Sequence, residues 1–291
     1  MVAGFVLTPF CLIANISTET IEHPDVTVHF DIPLRAAAKD LANEMPLIKT
    51  ELEALFGWRL YQRVTIVMIH NREKFKQLAG HPLIAAFAVP AQNLIVIDYG
   101  RLNRRRQRSK SLLKHEMVHL LLHAHIPGSH LPRWLEEGVA QWVSDGVADL
   151  LEEPRTAVLT DAILSGKALP LAKLTDDFPA DDRALILAYA QSRSLVTYIA
   201  DNYGADKLIK ILRLLSEGSG VEESIHRSLT VSIRDLEQQW ISSQERPAAI
   251  LAMLAGYIYE VLFLVAALLT VVGFVRFRIK KLRYRDEEDD V

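Results

Sequence analysis

His115 and His119 bracket Glu116 in the segment HEMVH, an HExxH pattern, and two glutamates, Glu136 and Glu137, follow in WLEEGVAQW at 134–142. On a helix, residues four apart share a face with Cβ atoms about 5–6 Å apart, so the two imidazoles can converge on one point. Two imidazoles and one carboxylate form the donor set of a catalytic zinc, which leaves a fourth position for water. The ion lowers the pKa of that water to about 7, and a carboxylate beside the metal accepts its proton, the place Glu116 takes here. Spacing alone does not choose between Glu136 and Glu137 as third ligand. HEMVH by itself is equally explained by an amphipathic helix whose apolar stripe is Leu112, Leu113, Met117, Leu120 and Leu121.

Other histidines lie close by. His123 repeats the four-residue spacing, yet it sits roughly 12 Å along the helix from His115, too far for one ion to bridge. His125 falls ten residues after His115, where the pattern HExxHxxGxxH places a third ligand. Leu122 occupies the glycine position of that pattern, so nothing turns the chain back toward the metal. His130 reads as a loop residue.

Three segments, LLKHEMVHLLL, LPRWLEEGVAQW and LAYAQSRSLVTYIADNYG (187–204), resemble the gluzincin metallopeptidases, in particular the bacterial peptidase MA-like family, relatives of the zinc aminopeptidases. The resemblance covers about residues 111 to 204, with weaker likeness on either side. It implies one Zn2+ held by His115, His119 and Glu137, the glutamate directly before the glycine of WLxEG, with Glu116 as general base. It also implies a role for Tyr189, which stands where the aminopeptidases carry, in YxKGxxV, a tyrosine that gives a hydroxyl to the tetrahedral intermediate. Gln191 and Ser192 replace that lysine and glycine, and Tyr189 also reads as a half-buried helix residue beside Leu185, Leu187, Leu195 and Tyr198. Gln141, one turn past Glu137, is placed to orient a ligand histidine, and Ala140 and Ser144 offer a small-residue face for another helix.

The elements that must position these residues fall into two groups. Asp25 to Asp31 alternates like a strand, Leu34 to Phe56 reads as an amphipathic helix ended by Gly57, and Val64 to His70 and Asn93 to Gly100 are β-branched runs with a short helix and AAFAVP between them. The chain is then helical to Gln244, with loops around 127–130, 166–182 and 218–220. This order predicts an α+β, zincin-like metallopeptidase fold: a small N-terminal sheet lobe, a helical C-terminal lobe, the metal between them, and one transmembrane helix after them. Asn93 to Asp98 is the expected edge strand, able to hold an extended peptide by main-chain hydrogen bonds. The run GRLNRRRQRSKSLLK (Arg101, Arg104, Arg105, Arg106, Arg108, Lys110, Lys114) is either a solvated loop and first helical turn or a patch for lipid headgroups or acidic substrate.

The 291 residues carry a net charge of -3, without the basic excess that would make nucleic acid the main partner. One cysteine, Cys11, excludes an internal disulfide framework and a Cys-based zinc knuckle. Ile250 to Val275 holds 26 residues with Glu260 as its one ionisable group, enough to cross a bilayer core of about 30 Å. Six basic residues follow in RFRIKKLRYR, then the acidic DEEDD; the basic cluster belongs on the cytoplasmic side and puts everything before Ile250 outside. MVAGFVLTPFCLIANIS is apolar but lacks a preceding Lys or Arg and a clean cleavage site, so it reads as a degenerate signal segment or a first strand. The expected organisation is residues 1–20 for that segment, 21–246 for the peptidase domain, 247–276 for the transmembrane helix and 277–291 for a cytoplasmic tail. Together these features predict a single-pass, membrane-anchored zinc peptidase acting on protein or peptide substrates. No GxMEN segment captures a substrate's free amino terminus, which favours endopeptidase action. The alternatives are a membrane adaptor that keeps the fold without catalysis, and a zinc hydrolase of another amide or ester.

Overall fold

Val26, Val28 and Phe30 are buried and alternate with less buried neighbours, the period of two that makes Val26–Asp31 (β2) a strand covered on one face. Thr18–His23 (β1) pairs with it antiparallel. Val64–Ile69 (β3) and Leu94–Asp98 (β5) are apolar almost throughout and buried on both faces. Ala86–Val89 (β4) completes a five-stranded sheet in the order β1-β2-β3-β5-β4, with β2, β3 and β5 parallel and β1 and β4 antiparallel. The computed structural model describes residues 18–102, 106–145 and 155–288, without the side chains of 18, 101–102, 106–108, 155–156, 245–256, 258 and 279–288. The apolar start of the chain through residue 17, with Cys11, lies outside the described residues, as do the side chains of Arg101, Arg104, Arg105, Arg106 and Arg108.

One expectation about the sheet is corrected. Asn93 to Asp98 is not the edge: β5 lies between β3 and β4, and β4 is outermost. Five consecutive fully buried residues mark a strand flanked on both sides, whereas β4, three of whose four residues are only partly buried, sits at the margin. Among the described residues β1 zips onto β2 from Thr18–Asp31 to His23–Val26.

Arg35–Phe56 (α1) follows β2. Its buried stripe, Ala38, Leu41, Ala42, Met45, Ile48, Leu52 and Phe56, keeps helical spacing and packs on β1 and β2. Gly57 ends it with φ 71°, a left-handed cap that only glycine adopts without cost, and donates its N–H to Glu53 O at 3.0 Å. Arg72–Ala79 (α2) sends Phe75 into a cluster with Val67, Ile69, Leu94 and Val96 on one face of the sheet. Arg106–His125 (α3) carries HEMVH and packs against α1 and β4. From Leu112 through Leu122 nearly every residue of α3 is buried, so it is a central helix rather than the amphipathic surface helix that its leucines alone suggest. Lys114 pairs with Glu51 and Lys110 with Glu44 at 3.1 Å, so both described lysines of the basic run are engaged by α1.

The helical part continues with Arg133–Val143 (α4), Arg155–Leu164 (α5), Asp182–Tyr203 (α6), Ala205–Ser216 (α7), Val221–Leu229 (α8) and Ile233–Glu288 (α9). α4 packs on α6 and on α3. Trp240, buried in the first turns of α9, donates Nε1–H to Ser194 Oγ of α6 at 3.0 Å. Residues 1–240 form one compact unit and 241–291 a second. Within the second, Tyr259–Arg278 is a helix with mean hydropathy 2.2 that is exposed throughout, long and apolar enough to cross a membrane.

The contact of α4 with α6 is closest at Gly138, where a Cβ would lie 2.4 Å from both Ser192 O and Val196 Cγ2. Replacing Gly138 by Ala forces the helices apart; overpacking of about 3 kcal/mol, offset by about 1 kcal/mol of helix propensity, leaves a net loss near 2 kcal/mol. Thermal unfolding of Gly138→Ala is expected roughly 4–8 °C below wild type. An unchanged or higher Tm contradicts the close approach.

Candidate metal centre

His115 and His119 lie one turn apart on α3, their rings edge to face with centroids 4.9 Å apart and their Nε2 atoms 3.2 Å apart. Glu137, in the middle of α4, brings Oε2 to 3.6 Å from His115 Nε2 and 3.8 Å from His119 Nε2. Three ligand atoms in a tetrahedral zinc site with bonds of about 2.0–2.1 Å stand roughly 3.3 Å apart, so this triangle fits such an ion with little adjustment. All three side chains are buried, and among the described residues they are the group of His, Cys, Asp or Glu whose ligand atoms gather in this way. Glu116, between the two histidines in sequence, is fully buried on the same helix.

The remaining ring nitrogens have partners that leave each Nε2 lone pair for the ion. His119 Nδ1 is 2.7 Å from Glu136 Oε1, and His115 Nδ1 is 3.4 Å from Ser144 Oγ, whose own proton goes to Ala140 O at 2.7 Å. Glu136 Oε1 also takes His123 Nε2 at 3.0 Å. Burial opposes ionisation of Glu136, but hydrogen bonds from His119 and His123 and the charges of His119 and Arg133 outweigh it and hold the carboxyl below the usual range. For Glu137, burial is likewise overcome by the charges of Arg133 and His119 and by His115, and its carboxyl is also held low. Arg133 Nη2 is 2.8 Å from Glu137 Oε1 and Nη1 is 3.5 Å from Glu136 Oε2.

Sequence reasoning found the converging trio but not Glu136, Arg133, Ser144 or His123 as its supports. Arg133 precedes Glu137 by one helical turn, a pairing that the i,i+4 rule makes available. Ser144 does meet the metal helix, as the small-residue face implies, while the close approach to α6 is made by Gly138 instead. Gln141 does not orient a histidine. Its Nε2 donates to Glu137 O at 3.2 Å and to Tyr189 O at 3.0 Å, tying α4 to α6. His125 ends α3 and turns away: its Nε2 is 2.9 Å from Arg59 O and its ring stacks on Trp58 at 4.9 Å. Tyr189 is buried with Leu185 and Ile186, its ring edge to face with Phe178 at 5.2 Å. Gln191 exchanges two hydrogen bonds with the backbone of Leu169, at 2.8 and 2.9 Å, and so fixes the loop before α6. A cleft of about 540 Å³ opens where α3 ends, lined among others by Tyr61, Pro90, Asn93, Leu120 and His123.

The model of the Peptidase MA superfamily matches residues 46–245 of this chain, from the second half of α1 into α9. No curated protein sequence matches. Among solved structures, native yeast LTA4 hydrolase is similar at 14% identity and TM-score 0.47, covering 72% of this chain and 36% of that one. Yeast LTA4 hydrolase in complex with bestatin gives 12% identity and TM-score 0.45, again over 72% of this chain and 36% of that chain. The chain thus spans little more than a third of the length of these structures. The α+β architecture is zincin-like, and the family match covers well over half of the 291 residues. The chain therefore belongs to the Peptidase MA superfamily.

Proposed function

We propose that the chain is a membrane-anchored zinc peptidase of gluzincin type that hydrolyses internal peptide bonds, with His115, His119 and Glu137 as metal ligands. The observation that carries this reading is the meeting of Nε2, Nε2 and Oε2 within 4.8 Å of one another in a buried site. The bound ion supplies Lewis acidity to a water molecule and to the scissile carbonyl. Glu116 takes the proton from that water on its carboxylate and returns it to the leaving amine. Ser144 and Glu136 hold the two imidazoles in the tautomer that directs Nε2 inward. Tyr189 donates its hydroxyl to the oxygen that becomes negative in the tetrahedral intermediate. Gln141, bonded to the carbonyls of both Glu137 and Tyr189, ties the helices that carry these two residues.

The substrate is an extended peptide lying along β4, the outermost strand on that side among the described residues, and pairing with its main chain. The apolar helix after Trp240 anchors the enzyme, with the basic cluster at 276–285 on the cytoplasmic side and the peptidase domain outside.

Glu116→Gln is expected to keep about one zinc per chain while hydrolysis of a casein or peptide-library substrate falls about 10²–10⁴-fold. Undiminished cleavage would remove Glu116 from the mechanism, and bound zinc without any turnover in wild type would favour the non-catalytic adaptor. Tyr189→Phe is expected to lower kcat about 10²–10³-fold with KM nearly unchanged. A change confined to KM or to Tm assigns the tyrosine to packing against Phe178. A reporter active only in the cytoplasm, fused after Val291, is expected to be active; activity of a periplasm-dependent reporter at that place reverses the orientation.

A further inference from the structure

Glu137 gives its two oxygens to different partners. Oε2 faces the two histidine Nε2 atoms at 3.6 and 3.8 Å, whereas Oε1 is held by Arg133 Nη2 at 2.8 Å. Glu136 is divided the same way: Oε1 meets His119 and His123, and Oε2 faces Arg133 Nη1 at 3.5 Å. One guanidinium therefore lies against the outer oxygen of both carboxylates, while both inner oxygens turn to histidines. Arg133 is fixed in this place from its other sides. Its backbone N–H donates to Thr175 O at 2.7 Å, and the guanidinium carbon is 5.9 Å from the centre of the Phe178 ring.

A carboxylate can hold a cation through one oxygen or through both, and the second mode fills two coordination positions. A guanidinium stays charged at any ordinary pH, so it holds Oε1 in an ion pair at 2.8 Å that chelation would have to weaken. Glu137 is fully buried while the Arg133 side chain is 40% exposed, so the pair acts on a carboxylate with little water to compete for it. We propose that Arg133 is a positioning residue that limits Glu137 to one-point attachment, and so keeps a coordination position open for water and the substrate carbonyl. The proposal rests on the zinc reading above and concerns how the third ligand binds.

Cobalt(II) in place of zinc reports coordination number through its visible absorption, independently of activity. The full chain in detergent, loaded with cobalt, is expected to give the intense bands of a four-coordinate site. Arg133→Met keeps an unbranched stem against Phe178 but removes the charge. Its bands are expected to weaken about threefold as Glu137 chelates with both oxygens and the site becomes five-coordinate, whereas Arg133→Lys keeps most of the wild-type intensity. Identical spectra for Arg133→Met and wild type overturn the proposal. Weak five-coordinate bands in wild type also overturn it, and that measurement stands even if far-UV circular dichroism shows Arg133→Met to be unfolded. Failure of the wild type to bind cobalt at all overturns the zinc reading itself.

Discussion

Glu116, Glu136 and Glu137 are buried where α3 meets α4, and Arg133 is the guanidinium in contact with the last two. Taking a carboxylate out of water costs several kcal/mol unless an opposite charge and hydrogen bonds replace the lost solvation. Arg133 supplies one such charge to Glu136 and Glu137, and a cation held by His115, His119 and Glu137 would supply another. The same requirement explains why each histidine near the centre points a nitrogen at a carboxylate or hydroxyl: His119 and His123 share Glu136, and His115 meets Ser144.

Those contacts form only if α3 and α4, joined by the short segment 126–132, dock within hydrogen-bonding range. The sheet provides one half of the answer, since β4 and α1 pack against α3 and fix the metal helix from the N-terminal side. Gly138 provides the other. By allowing the backbone of α6 to touch α4, it places Glu137 immediately before it at a fixed depth, and Gln141 bonds across the same contact. A side chain at position 138 would displace Glu137 together with its helix, so the candidate metal centre and the packing are constrained at neighbouring residues.

Much of this was legible in the sequence where the determinant is local. The four-residue histidine spacing, the glycine that ends α1 and the β-branched runs of β3 and β5 each state their conformation within a few residues. Strand order is a long-range property: LIVID is buried because strands flank it on both sides, and nothing inside those five residues says which neighbour is last. Glu136 went unread for a similar reason. Beside a ligand glutamate it looks like a rejected alternative until the docking of α4 on α3 puts it against His119 and His123. β1 has Ile21 as its one apolar residue and is recognisable as a strand only through its register with β2.

The carboxylate in the apolar helix is handled by a different solution to the same physical problem. Between Tyr259 and Arg278, twelve Val, Leu and Phe residues contribute together about 4–7 kcal/mol toward insertion into a bilayer. A carboxylate at the centre of such a span costs about 2.5–3.5 kcal/mol, less than those residues contribute. Glu260 lies within the apolar run 250–275, whereas Arg276 and Arg278 stand at its end. In the globular unit a guanidinium and imidazoles are assembled around the buried carboxylates; in the apolar helix the cost of Glu260 is set against the many apolar residues around it in sequence.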